Sequence, residues 1–310
     1  MRAYVLTEFG ATPTIADVDV PEPAEGEVRV RVHAAAVNGF DISVASSYLK
    51  DMMEHRFPVV LGKDFAGTVD AVGPGVSGYE VGDRVFGVVT KPHLGDGSFA
   101  EYVTVSTAVG LATLPEEIDF VTGGALGLAG VAAISAVDAA FLQHGQTVLV
   151  VGATGGVGNQ AVQLAAKTGG RVVATAATDE EQTLLRDLGA AELVDYTGDV
   201  VAAVRQAHPE GVDAVLHFAG DAADYLPVLR PGGRLVSTLI MSADQVPTED
   251  ITVVAIYANP EPAVLDRAAD HHVAGVTRTV VQRTFSLDEA RAGLDSFSRG
   301  TLGKVVITTA

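Results

Sequence analysis

The stretch TVLVVGATGGVG, residues 147–158, decides the fold. An apolar, β-branched run passes directly into Gly152, Gly155, Gly156 and Gly158, and the following AVQLAAK (residues 161–167) has the composition of a helix. A strand that turns through glycines into a helix can bring its backbone close to a pyrophosphate. The phosphate charge then sits at the helix N-terminus, where free N–H groups point outward. A P-loop is excluded, because no Gly-Lys-Ser/Thr follows.

Downstream of this loop the same unit recurs. A helix to about Thr168 is followed by RVVATA (171–176), a helix over 179–188, AELVDY (191–196) and a helix over 200–207. VDAVLHFAG (212–220), GGRLVSTLI (232–240) and ITVVAIYA (251–258) complete the series. Near-continuous Val/Leu/Ile strands alternating with helices predict a parallel sheet covered on both faces, a doubly wound α/β domain. The carboxyl ends of such strands are where ligands bind. Gly152, Gly155, Gly156, Val157, Gly158, Thr178, Phe218, Ala219, Leu239 and Ile240 are therefore the expected cofactor contacts. His217, at one of these strand ends, reads as a core histidine, since nothing pairs it with a nucleophile.

Upstream the pattern differs. Short β-like runs at 27–35, 66–72, 83–89 and 98–105 are separated by Gly and Pro clusters, which predicts a mostly-β region, a distorted barrel. An Ala-rich helix over 120–142 leads to the glycine loop, and the pieces after Pro260 do not extend the alternation. The expected domains are 1–113 with 262–310, and 114–261.

Composition narrows the function. The 310 residues carry a net charge of −19, which disfavours nucleic acid and anionic membranes as partners. There is no secretory signal, and the longest apolar run, 125–137, is short of the roughly 20 residues a bilayer span needs, so a cytoplasmic location is expected. With no cysteine in the chain, disulfides, thiolate zinc sites and a cysteine nucleophile are all ruled out. No Tyr-x-x-x-Lys occurs, which removes a short-chain dehydrogenase.

The second strand of the doubly wound region ends Ala174-Thr175-Ala176-Ala177-Thr178 without a carboxylate. An acidic side chain there would accept the ribose hydroxyls of NAD, so NADP is favoured. Asp179, Glu180 and Glu181 would repel a 2′-phosphate, and no Lys or Arg sits beside them; they are equally well placed to stabilise a helix dipole.

With these residues assembled, the chain resembles the zinc-independent quinone oxidoreductase (zeta-crystallin-like) family of the medium-chain dehydrogenase/reductase superfamily. The resemblance rests on NGFD (38–41), PVVLGKDFAGTVDAVGPGVSGYEVGDRVFG (58–87), GSFAEY (97–102), GATGGVG (152–158), LGA (188–190) and GKVVI (303–307). It implies a GroES-like catalytic domain, a Rossmann domain, and NADPH bound in a cleft. Hydride would pass to the β-carbon of a quinone or enone, with donors meeting the charge on the carbonyl oxygen. Zinc-bearing relatives carry Gly-His-Glu where Gly62-Lys63-Asp64 stands, so no metal is implied. Asn38 and Asp41 map to the element beside the nicotinamide ribose and substrate, and the resemblance implies Tyr196 as a further cofactor contact. A tyrosine common in relatives is Ser43 and a threonine is Ala132, so Tyr48 is the candidate phenol. The resemblance also implies a homodimer through the run 251–258 at the Rossmann sheet edge. Two other readings stay open: a nucleotide-binding redox sensor with little catalysis, and an enoyl-thioester reductase, which the acidic balance supports little.

Overall fold

The computed structural model describes residues 1–309. Two compact units result: Met1–Leu128, Pro260–Val273 and the chain from Thr279 form one, and Ala129–Asn259 with Ala274–Arg278 the other.

The first unit begins with β1 (Arg2–Leu6), β2 (Thr14–Asp17) and β3 (Glu27–Ala36), then the short α1 (Gly39–Ala45). β4 (Val59–Val60), β5 (Asp64–Val72), β6 (Arg84–Val88), β7 (Tyr102–Ser106) and β8 (Leu111–Thr113) follow. In β3 the alternation of Val28, Val30 and Val32 with Arg29 and Arg31 puts the valines in the core, the period-2 pattern of a half-buried antiparallel strand. They pack with Phe65, Phe99, Leu111 and Ile307.

α2 (Phe120–Ala140) starts in the first unit and ends in the second. By length and composition it could cross a bilayer, but 72% of its most apolar window is buried inside the protein, as for a core helix. The break therefore falls after Leu128, inside this helix, rather than after Thr113. Glycines explain why the first half stays with the first unit: a Cβ on Gly124 would lie 2.7 Å from Ala34 O.

The second unit runs β9 (Thr147–Val151), α3 (Gly156–Lys167), β10 (Arg171–Thr175), α4 (Asp179–Asp187), β11 (Glu192–Val194), α5 (Val200–Ala207), β12 (Val212–His217), β13 (Leu229–Ser237) and β14 (Thr252–Ala255). These strands form one parallel sheet of order β11-β10-β9-β12-β13-β14. Val148 to Val151 are all buried, as a strand covered on both faces requires. Because every strand points the same way, all the carboxyl ends share one edge of the sheet.

The chain then returns to the first unit through α6 (Pro262–Val273), β15 (Val281–Ser286), α7 (Ala290–Ser298) and β16 (Lys304–Thr308). The larger sheet of that unit has the order β15-β16-β3-β5-β6-β8, with β7 also paired to β3. β3 thus bonds to both β16 and β5, which aligns Ala36 with Val306 and Ala34 with Ala66. This register brings the end of β3 beside the starts of β5 and β16.

Candidate active site

The ends of those three strands build a buried polar network in the first unit. Asn38 follows β3, Asp64 opens β5 and Lys304 opens β16. Lys304 Nζ donates to Asn38 Oδ1 at 2.6 Å and to Asp64 Oδ2 at 3.2 Å, while Asn38 Nδ2 donates to Asp64 Oδ2 at 3.0 Å and to Ala36 O at 3.2 Å. The other oxygen of Asp64 accepts from Leu128 N at 2.6 Å. Asp64 is 0% and Lys304 3% exposed. A buried ion pair is tolerable only when its remaining donors and acceptors are met in this way.

Asp41, on α1, is also buried and accepts from Asn38 N at 2.8 Å. Burial pushes its pKa up to about 7, the neighbouring Asp64 adds to this, and the Asn38 N–H opposes it. Near neutral pH this carboxyl is therefore partly protonated and able to donate as well as accept. Lys63, next to Asp64, donates from Nζ to Val89 O at 2.8 Å and lies 4.7 Å from the centre of the Phe40 ring.

Of the three expected catalytic residues, Asn38 and Asp41 share this network and Tyr48 does not. Tyr48 is 72% exposed and its hydroxyl has no partner among the described residues. Ser43 turns its hydroxyl back to Gly39 O at 3.0 Å, and Ala132 is buried in α2. Lys304 is not singled out by the sequence, and Lys63 and Asp64 enter it only as the pair standing where zinc-bearing relatives carry His-Glu. Lys304 lies 240 positions from Asp64, so no spacing signal joins them.

In the second unit the expected cofactor residues gather at the carboxyl edge of the sheet. Gly152, with φ +74, follows β9, and its N–H donates to Thr175 Oγ1 of β10 at 3.1 Å. A Cβ on Gly152 would lie 2.9 Å from Ala219 Cβ and 3.1 Å from the Phe218 carbonyl carbon, so the loop lies against the end of β12. One on Gly158 would lie 2.1 Å from Gly152 O, so helix and loop touch backbone to backbone. Asn159 N makes the first intrahelical bond, to Gly155 O at 3.0 Å. The amides of Gly156, Val157 and Gly158 precede it, free to meet an anion. Leu239 and Ile240 follow β13, exposed and half-buried respectively. A glycine cradle of this kind fits a dinucleotide pyrophosphate.

At the end of β10, Thr178 caps α4, and Glu181 folds back from the first turn. One Glu181 oxygen accepts from Ala177 N at 2.6 Å and Thr178 N at 2.9 Å, and the other from the Tyr196 hydroxyl at 2.9 Å. The strand end that reads as uncharged in sequence therefore carries a carboxylate. His217 is fully buried, with Nδ1 2.9 Å from Ser237 Oγ and no partner at Nε2, and burial lowers its pKa. It is a neutral core histidine.

Comparison with known proteins matches residues 24–116 to the alcohol dehydrogenase GroES-like domain and residues 156–258 to the family described as zinc-binding dehydrogenase. A quinone oxidoreductase of Sus scrofa is 30% identical over 99% of this chain and 97% of its own. The chloroplastic NADPH-dependent alkenal/one oxidoreductase of Arabidopsis thaliana is 32% identical over 76% of this chain and 62% of its own. Among solved structures, the quinone oxidoreductase from Coxiella burnetii superposes with a TM-score of 0.91 at 26% identity, covering 100% of this chain and 99% of that one. The zinc in the second family description does not fit these residues. The chain has no cysteine, Lys63 offers an ammonium that cannot ligate, and Asp64 is already bonded through both oxygens. No group of three metal-ligating side chains converges among the described residues.

Proposed function

Because the chain belongs to the quinone oxidoreductase family of the medium-chain dehydrogenases/reductases, we propose that it reduces a quinone or α,β-unsaturated carbonyl with NADPH, without a metal. The observation that carries this reading is the cradle of Gly152, Gly155 and Gly158 beneath the free amides that open α3. When bound there, the reduced nicotinamide supplies hydride to the conjugated carbon. The residues of the cradle hold the pyrophosphate, and Thr178 and Tyr196 lie at the end that would meet the adenosine ribose. In the first unit Asp41 and Lys63 carry the donors that charge on a carbonyl oxygen would require where no Lewis acid is present, while Asn38, whose N–H groups are bonded to Asp64, Ala36 and Asp41, positions Asp41. A screen of quinones, enones and aldehydes with both reduced cofactors tests the substrate class.

NADPH is supported by the apolar Ala176 and Ala177 at the strand end and by the relative named for NADPH. A second reading, NADH, is favoured by one observation, the Glu181 carboxylate on the Ala177 and Thr178 amides. That carboxylate would repel a 2′-phosphate. Glu181→Gln is therefore expected to tighten NADPH about tenfold, roughly 1.4 kcal/mol, and to leave NADH nearly unchanged in a fluorescence titration. Wild-type protein that binds NADH more tightly than NADPH would establish the second reading.

The enzyme is further proposed to work in the cytoplasm as a homodimer joined through β14. This strand ends the parallel sheet, and Val253 and Val254 are only partly buried there. An uncovered apolar edge invites pairing with another chain. Light scattering is expected to give about twice the 31.9 kDa of one chain; a 31.9 kDa particle at every concentration would contradict pairing.

A further inference from the structure

β12 and β13 lie side by side in the parallel sheet, with His217 aligned to Ser237. These are the last residues of the two strands. The chain leaving the first carries Phe218 and Ala219, and the chain leaving the second carries Leu239 and Ile240. Two residues earlier on the same face stand Val215 and Leu235, both fully buried. The apolar pattern therefore ends, at the carboxyl edge of the sheet, in a polar pair that is itself 0% exposed.

The hydrogen bonds of the pair fix its protonation pattern. Ser237 Oγ lies 2.9 Å from His217 Nδ1 and accepts from Leu239 N at 3.0 Å. An amide can only donate, so the buried hydroxyl proton goes to Nδ1, and the imidazole proton is assigned to Nε2. Nε2 has no partner among the described residues. A buried N–H without an acceptor costs stability, whereas an apolar pair of similar shape can be neutral or stabilising. Burial lowers the pKa of His217, with the backbone of Ala219 and Gly220 and the charges of Asp221 and Asp224 opposing it, and the ring is neutral. Stability alone gives no reason for such a pair.

What the pair holds is the path of the chain. Leu239 N on Ser237 Oγ closes a turn with the last side chain of β13, and Thr238 N donates to His217 O at 3.3 Å, so the start of this loop is bonded to both strand ends. On the other side Phe218 N donates to Val151 O at 3.0 Å. Ala219 then forms a wall of the glycine cradle, since a Cβ on Gly152 would meet Ala219 Cβ at 2.9 Å. Both loops begin at the two residues the pair joins. We infer that the His217–Ser237 hydrogen bond is a positioning element for the dinucleotide, fixing where Ala219 and Leu239 stand beside the cradle before the cofactor arrives. This rests on the reading of the glycine loop as a dinucleotide site. Loops already held in place lose less freedom on binding, and that difference is expressed as affinity.

The test measures affinity and stability separately, on the full-length protein. NADH and NADPH are each titrated by nicotinamide fluorescence, and thermal unfolding is followed without cofactor. His217→Leu combined with Ser237→Ala replaces both partners by apolar side chains. It is expected to weaken the tighter-binding dinucleotide about tenfold, the scale of freeing one or two loop side chains, while the unfolding midpoint stays at or above that of wild type. His217→Asn keeps an acceptor for the Ser237 hydroxyl but leaves a cavity. Its midpoint should fall, and its affinity should stay within about threefold of wild type. A structural role alone cannot move the two readouts in opposite directions. If the double variant does not fold, Ser237→Ala takes its place, with the same loss of affinity expected. A double variant that binds within about twofold of wild type, or affinity that follows the midpoint in both variants, would overturn the role of the pair alone. Wild type that binds neither dinucleotide would overturn the reading of the glycine loop, and the role of the pair with it.

Discussion

Gly155→Val is expected to weaken dinucleotide binding by at least about a hundredfold, roughly 2.7 kcal/mol, while the empty protein unfolds close to the wild-type temperature. The reason lies in what the fold requires of each glycine in the loop. Gly155 is the N-cap of α3, with φ −71 and ψ 170, an extended conformation open to any residue. A Cβ there would meet only Gly152 O, at 3.5 Å, an ordinary contact. The protein alone has no need of glycine at this position; a pyrophosphate lying against the loop backbone does. Gly158 is the contrast, because its Cβ would lie 2.1 Å from Gly152 O and 2.7 Å from Ala153 Cα. Gly158→Val should therefore destabilise the empty protein, by about 1–3 kcal/mol or more. Thermal unfolding of both variants, with and without NADPH, separates ligand from fold. If NADPH raises the midpoint of Gly155→Val as much as that of wild type, the loop does not hold the dinucleotide.

The second large effect is expected at Lys304. Lys304→Met leaves Asp64 fully buried without its cation, and breaking a buried pair in this way destabilises by about 3–5 kcal/mol. Asn38 loses the donor to its Oδ1 at the same time. Adding Asp64→Asn removes the orphaned charge, so the double variant should be markedly more stable than the sum of the two single changes predicts, as expected for residues sharing one network. Urea unfolding of the four proteins measures this. Single changes that cost less than about 1 kcal/mol and add independently would show that the network is not coupled.

The difference between these two sites is also the difference between what the sequence reveals and what it hides. The parallel strands announce themselves because burial on both faces leaves unbroken runs such as TVLVV, and the loop glycines are contiguous with one of them. The polar network has no local signature. Its members come from three strand ends joined only by the antiparallel register of β3 with β5 and β16, and Lys304 reads as an ordinary residue of GKVVI. Tyr48 was chosen for its chemistry near Asp41, but the chain turns at Ser47, with φ +59, and leaves the phenol in solvent. Glu181 stands between these cases. Thr178 and Glu181 have the spacing of a capping box, which turns the N3 carboxylate back toward the preceding amides, so the signal was present in the sequence. Asp179, Glu180 and Glu181 are read together in the sequence as first-turn acids, and it is the capping-box spacing that singles out Glu181.

Hydride transfer to a conjugated carbon without metal assistance is what distinguishes the proposed reaction. The most direct measurement uses NADPH deuterated at the transferring position, a simple enone, and protein dialysed against a chelator, with the product analysed by NMR. Sustained turnover and deuterium at the β-carbon are expected. Turnover that requires added zinc, or a product with deuterium on the carbonyl carbon instead, would contradict the proposed reaction.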